Sequence, residues 1–190
     1  MVSEDFKREL KNMFMRGYQE ALAQGIEQSR WTIKEEGDPN ACLTQEFFVL
    51  TISAQRFRVF VLLHFTPDTE SEQFVAEFIN AGNNAIDQDK FYDCIGEIGN
   101  AFCGAMKRDL GKVVPSLGMS TPNKLNSECI KYLTAFETQM EAHASALLDG
   151  TAILHASVYL CADGELDYQI PHSTFAAQED DVDSGELELF

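Results

Sequence analysis

Residues 91–110 read FYDCIGEIGNAFCGAMKRDL, within the longest uninterrupted helical pattern of the chain, about 87–110. Successive side chains of an α-helix turn by about 100°, and the stretch sorts into three faces. Phe91, Cys94, Ile95, Ile98, Phe102 and Ala105 form an apolar stripe that should lie on a sheet. Gly96, Gly99 and Cys103 run beside it at spacings of three and four. They are small enough to admit a second helix, for which the N-terminal helix is the natural candidate. Asp93, Glu97, Asn100 and Gly104 share the third face, with Glu97 and Asn100 projecting side by side at i and i+3. Taken alone, such a pair is what any solvated helix face carries. Glycine inside a helix costs about 1 kcal/mol relative to alanine, yet Gly96, Gly99 and Gly104 fall within nine residues. Close packing accounts for the first two. For Gly104 the reading is that something large docks over it.

Upstream of this helix, residues 3–28 repeat apolar positions at spacings of three and four (Phe6, Leu10, Met13, Phe14, Gly17, Ala21). Ser3 is the expected N-cap, with Glu4 and Asp5 in the first turn. Residues 30–44 hold Gly37, Asp38, Pro39 and Asn40, a turn signal. EFFVLTIS (46–53) and RVFVLLHF (58–65) read as strands joined by a short hairpin. A helix over about 71–81 follows, ended by Gly82, Asn83 and Asn84.

Downstream, Pro115 and Pro122 bracket an irregular or edge-strand segment, and 128–138 fits a short helix. Three strands are expected at about 139–148, 152–161 and 165–170, joined by tight turns at Asp149–Gly150 and Asp163–Gly164. The order is helix, two strands, helix, long helix, three strands, with short turns between neighbouring strands. That order predicts a mixed α+β fold: a largely antiparallel sheet packed against long helices, with a weak trace of duplicated halves. One domain is expected over 1–176. Residues 177–190, QEDDVDSGELELF and the alanine before it, are too acidic and polar to pack and predict a disordered tail.

The 190 residues are 45% hydrophobic and carry a net charge of −17. That field repels phosphate backbones and anionic lipid, so neither nucleic acid nor membrane is an expected partner. No apolar run reaches the roughly 18 residues of a membrane span, and the N-terminus lacks the layout of a secretion signal. A cytoplasmic location is the expectation. Five cysteines, none in a C-x-x-C pair, predict free thiols. His64, His143, His155 and His172 show no metal-ligand spacing with them, so no metal site is expected. His64, at the end of an apolar strand, reads as a core residue. No phosphate-binding glycine loop or nucleophile elbow occurs.

The string GEIGNAFCG, 96–104, followed by Lys107, resembles the signature helix of the CheC/CheX/FliY phosphatases: E-x-x-N with a glycine four residues after the asparagine. Ile95–Gly96 before it and MSTP (119–122) after it resemble the same family, and the element order agrees over about residues 3–170. The resemblance implies removal of the phosphoryl group from the active-site aspartate of a CheY-like receiver domain. Asn100 would orient the attacking water, and Glu97 would pair with the receiver's lysine. The phosphorylated regulator would supply Mg²⁺, with no cofactor of the chain's own. Asp93, Gly104, Lys107 and Arg108 would touch the partner, although a basic pair there also simply suits a helix C-terminus.

The first helix holds a second E-x-x-N at Glu9 and Asn12, but its glycine, Gly17, falls five residues after the asparagine, and Lys11 stands where the other copy has Gly99. It is a possible second copy; the alternative is a polar helix face. One working copy would bring the chain nearer to CheX than to CheC, with a homodimer left open. A non-catalytic, CheC-like adaptor that binds a receiver or a sister subunit is the alternative function.

Overall fold

The computed structural model describes residues 2–42, 44–82, 85–135, 137–166 and 168. The acidic tail, residues 177–190, lies outside them, as does His172. Among the described residues, three α-helices and a seven-stranded antiparallel sheet build the fold: α1 (Glu4–Leu22), β1 (Trp31–Glu36), β2 (Glu46–Ser53), β3 (Phe57–Phe65), α2 (Thr69–Phe78), α3 (Gln88–Leu110), β4 (Gly118–Met119), β5 (Asn123–Asn126), β6 (Thr138–Leu148) and β7 (Thr151–Ala162). The strand order is β1-β6-β7-β3-β2-β4, with β5 also paired to β2. The fold is the mixed α+β arrangement that the element order implied.

Side chains alternate along each strand and divide the sheet into two faces. Phe48, Leu50 and Ile52 of β2, Val59, Val61 and Leu63 of β3, and Ala156, Val158 and Leu160 of β7 join one large core with the three helices. Alanines 142, 144 and 146 line the same core from β6, while Phe6, Phe14, Tyr18 and Phe102 fill it from α1 and α3. Phe47, Leu62 and Tyr159 belong to a smaller cluster on the other face. Buried residues run without a break from Val61 to Phe65, as expected of a strand covered on both sides. The second cover is thin: two 3-10 segments, Pro39–Cys42 and Ser127–Ala135.

The helix ends follow side-chain chemistry. Ser3 accepts from Phe6 N and caps α1; Asp87 accepts from Lys90 N at 2.9 Å and caps α3. The β6–β7 turn puts Asp149 at φ 49° and Gly150 at φ 90°, the backbone of a two-residue hairpin.

Four expectations fail. First, the helix predicted over 3–28 stops at Leu22. Gly25 then passes so close to Phe78 that a Cβ there would stand 2.5 Å from its ring, and the chain turns at that contact. Second, the segment taken as a turn over 30–44 opens with β1, an edge strand whose Lys34, Glu35 and Glu36 hid it among polar residues. Third, of the strand expected at 165–170 the described residues show a single bridge, Leu166 to Val2, and no pairing with β7; positions 167, 169 and 170 lie outside them.

The fourth concerns the glycines. Gly96 and Gly99 face the sheet, not α1: a Cβ on Gly99 would meet Leu50 Cδ1 at 3.2 Å, and one on Gly96 would meet Phe48. The glycine that lets the two helices touch is Gly17 of α1, whose Cβ would lie 3.3 Å from Phe102 O and 3.2 Å from Met106 Cγ.

Candidate functional site

The apolar stripe of α3, expected to lie on the sheet along its whole length, turns to α1 in its C-terminal part, where Phe102 packs on Phe14 and Tyr18 and Ala105 lies beside Gly17. With α3 thus covered by sheet and α1, its remaining face is a ridge. Phe91, Cys94, Ile95, Ile98, Phe102 and Ala105 are all buried, whereas Asp93 and Glu97 are exposed and Asn100, Gly104 and Lys107 are half-exposed. The five ridge residues recur at spacings of four and three, so they form one line about 21 Å long at the helical rise of about 1.5 Å per residue. Acidic side chains lead it and Lys107 closes it.

Asn100 Nδ2 donates to Glu97 Oε1 at 3.5 Å, the outer limit of a hydrogen bond. The amide and the carboxylate therefore stand together while both remain open to solvent. One turn on, a Cβ at Gly104 would meet nothing within 4 Å among the described residues. The glycine leaves a bare step beside the amide.

The ridge is held from both flanks. Arg108, expected as a partner contact, is engaged within the chain: its guanidinium donates to both oxygens of Glu20 on α1, at 3.0 and 2.7 Å. Arg16 of α1 donates to Asp109 at 3.2 Å. At the N-terminal end, Tyr92 OH donates to Glu46 of β2 at 2.8 Å, and Lys124 of β5 lies 3.6 Å from the centre of the Tyr92 ring. These groups fix the ridge; sequence reasoning named Arg108 alone among them, and in another role. Pairs such as 20 with 108 and 16 with 109 leave no local spacing to read.

The E-x-x-N of α1 has a different environment. Glu9 is 5% exposed, and Asn12 Nδ2 reaches its Oε2 at 3.3 Å. Four residues past Asn12, where the α3 copy has bare Gly104, stands Arg16 with its ion pair to Asp109. Gly17 is turned into α3 and serves packing.

Thiol chemistry is absent from the ridge. All five cysteines are free, and burial pushes the thiols of Cys94 and Cys103 up to about 11 and about 12, far from the thiolate that nucleophilic attack requires. Among the described residues no three His, Cys, Asp or Glu side chains converge on a metal position, and no helix is long and apolar enough to cross a membrane.

No protein-family model matches the chain, and neither does any curated protein. Solved structures do. A CheX from Borrelia burgdorferi, in a complex with CheY, BeF3 and Mg²⁺, superposes with a TM-score of 0.62 at 10% identity, over 80% of this chain and 97% of that one. The chain has the CheC/CheX fold. The chemotaxis protein CheX from Vibrio vulnificus matches at TM-score 0.56 and 16% identity, over 80% and 95% of the two chains. A CheC-like superfamily protein from a Shewanella species matches at 0.57 and 12%, over 80% and 97%. Identities this low carry the CheC/CheX fold alone.

Proposed function

We propose that the chain is a CheX-like phosphatase that hydrolyses the aspartyl phosphate of a CheY-like response regulator, in chemotaxis or another two-component circuit. The observation that carries this reading is the solvent-open pair of Glu97 and Asn100 beside the bare Gly104, on a ridge that no other described segment covers. The Borrelia CheX complex with CheY supports a receiver domain as the partner. The cytoplasm, where such regulators work, is the location that goes with it, and a homodimer is compatible with it.

An aspartyl phosphate is an activated mixed anhydride, so the protein need only position water and respect the charge that develops. Asn100 enters the receiver's pocket as the catalytic residue. Its carbonyl oxygen accepts a hydrogen bond from the water and aims the lone pair at phosphorus, while its NH2 donates to an oxygen nearby. Water oxygen bonds to phosphorus as the bond from phosphorus to the aspartyl oxygen breaks. The carboxylate leaves, inorganic phosphate forms, and the water's proton passes to phosphate or solvent, since an amide is no base. The regulator's own Mg²⁺ neutralises the phosphoryl oxygens. Glu97 pairs with the receiver's lysine and sets register, which is the work of an anchor. Asp93 and Lys107 extend the contact; Arg108, held by Glu20, contributes by fixing α3.

The alternative is an adaptor that binds a receiver without turnover, and one experiment separates the two. CheY-like receivers are phosphorylated with acetyl phosphate, and phosphoryl decay is followed with the native chain and with Asn100→Ala. The phosphatase reading expects accelerated decay with the native protein and about a 10²-fold loss of that acceleration in the variant, the scale for misplacing a reacting group. Binding to a receiver with unaccelerated decay in both supports the adaptor.

A further inference from the structure

The sheet face opposite α3 holds every described histidine. His64 of β3 and His143 of β6 are buried on it, and His155 of β7 stands opposite His64 in the register. The Ser157 hydroxyl lies 2.9 Å from His64 Nε2 and 2.9 Å from His143 Nδ1. Its single proton serves both contacts when one imidazole donates and the other accepts, with both rings neutral. A further proton goes to an outer nitrogen or breaks the row. The outer atoms, His64 Nδ1 and His143 Nε2, are sealed from solvent and without a partner, so the closed layer gives an imidazolium nothing to donate to.

Neighbouring charges do not make up for this at His64. His155 and Tyr159 come from β7, Glu141 from β6 and Glu36 from β1; Asp38 and Cys42 come with the first covering segment, and Glu128, Cys129 and Lys131 with the second. From β2, the Phe47 ring packs on the imidazole at 5.6 Å. Glu36 is engaged by Ser145 at 2.8 Å and by Lys34, while Glu141 and Asp38 act on His143. The groups that act on His64 are His155 and His143, which repel it when charged. The layer above is the weaker of the two on this sheet. Phe47, Leu62 and Tyr159 are its buried apolar residues, and Cys129 and Ile130 of the cover are only half-buried against them. Beneath the cover lies a cavity of about 620 Å³, lined by His64, Ser157, Pro39 and Ile130 among others. A cover over a void forfeits the packing that would hold it down, and such segments are the ones that open locally.

We infer that the second layer is an acid-opened cover: protonation of His64 lifts Pro39–Cys42 and Ser127–Ala135 from the sheet and bares Phe47, Leu62 and Tyr159, while the helices stay packed on the other face. Between pH 7 and pH 5 the side chain that ordinarily changes charge is imidazole, and α1, α2 and α3 carry none. An imidazole that takes its proton near pH 6.5 when open, but only at about 3 when closed, makes the open population grow about 25-fold over that interval. Burial lowers His143 as well, so it adds to the same trend. The inference does not rest on the phosphatase reading, because cover and ridge lie on opposite faces of the sheet.

The chain's own free thiols read the two layers separately. Cys42 ends the first covering segment, buried with its Sγ 3.8 Å from Ala144 O, whereas Cys94 and Cys103 of α3 lie in the main core. The full chain is treated with dithiodipyridine at pH 7 and at pH 5. Each thiol's rate, read by mass spectrometry, is divided by its rate in the urea-unfolded chain at the same pH. The normalised rate of Cys42 should rise about 25-fold or more on acidification, with those of Cys94 and Cys103 unchanged. His64→Phe should cut the rise at least about fivefold, and His64→Gln gives the same reading if the phenylalanine variant fails to fold. A Cys42 rate that ignores pH, a rise shared equally by Cys94 and Cys103, or an undiminished rise in the His64 variants would each overturn the inference.

Discussion

Asn100, Glu97 and Gly104 make separable demands on the ridge, and substitution can tell them apart. Gly104 touches nothing that a Cβ would disturb, so Gly104→Ala should stabilise the protein by about 1 kcal/mol through helix propensity, measured by urea denaturation. Gly104→Arg should also fold, yet on the proposed reading it fills the step over which a receiver would dock. Receiver dephosphorylation should then fall at least about tenfold while stability holds, the separation expected of a steric block at an interface. An inactive Gly104→Arg that is also unstable would instead mark the glycine as structural. Glu97→Lys should do harm of another kind. If Glu97 faces a receiver lysine as proposed, reversing its charge costs several kcal/mol at a close pair, so binding of a receiver loaded with BeF3⁻ and Mg²⁺ should weaken, with partial recovery in salt.

At the scale of elements, the two E-x-x-N helices are not equivalent. Glu9 is buried and Arg16 occupies the place of the bare glycine, so Asn12→Ala should leave receiver dephosphorylation unchanged where Asn100→Ala removes it. Gly17→Leu should destabilise by about 1–3 kcal/mol, the usual cost of overpacking, because it must push Met106 and the Phe102 carbonyl aside; thermal unfolding checks this. The faces of α3 were legible in the sequence because 3.6-residue periodicity is a local property. Which neighbour each face meets was not. Gly96 and Gly99 looked like helix–helix contacts and proved to face Phe48 and Leu50, since small residues signal a close approach without naming what approaches. Strand β1 escaped for a related reason: an edge strand with Lys34, Glu35 and Glu36 gives up the alternation by which a strand is recognised.

For the whole molecule, the sheet and its helical layer followed from element order. The thin second layer followed only in part: the short helix expected over 128–138 is the 3-10 segment Ser127–Ala135, whereas Pro39–Cys42 lay in the stretch read as a turn. That layer has a consequence in acid. Burial, with His155 and His143 nearby, pushes His64 down to about 3, against about 6.5 in an unfolded chain. Between those values the unfolded state binds the extra proton, so stability is fully present above pH 6.5 and falls as the pH drops toward 3. The loss is on the order of 4 kcal/mol at the acid end. Burial lowers His143 too, with Glu141 and Asp38 opposing, and it adds to the same slope. Urea midpoints from pH 7 to pH 4 should decline in the native protein and decline less in His64→Phe.

On the proposed function the α3 ridge enters a receiver's phosphorylation pocket, and an NMR footprint tests this. A CheY-like receiver loaded with Mg²⁺ and BeF3⁻, a stable mimic of the phosphoryl group, is added to the ¹⁵N-labelled chain. The side-chain NH2 of Asn100 and the backbone amides of Glu97 and Gly104 should shift or broaden saturably, and far less with the unloaded receiver. A footprint that spares those three groups, or that centres on α1 or on the sheet edge at β1, would contradict it.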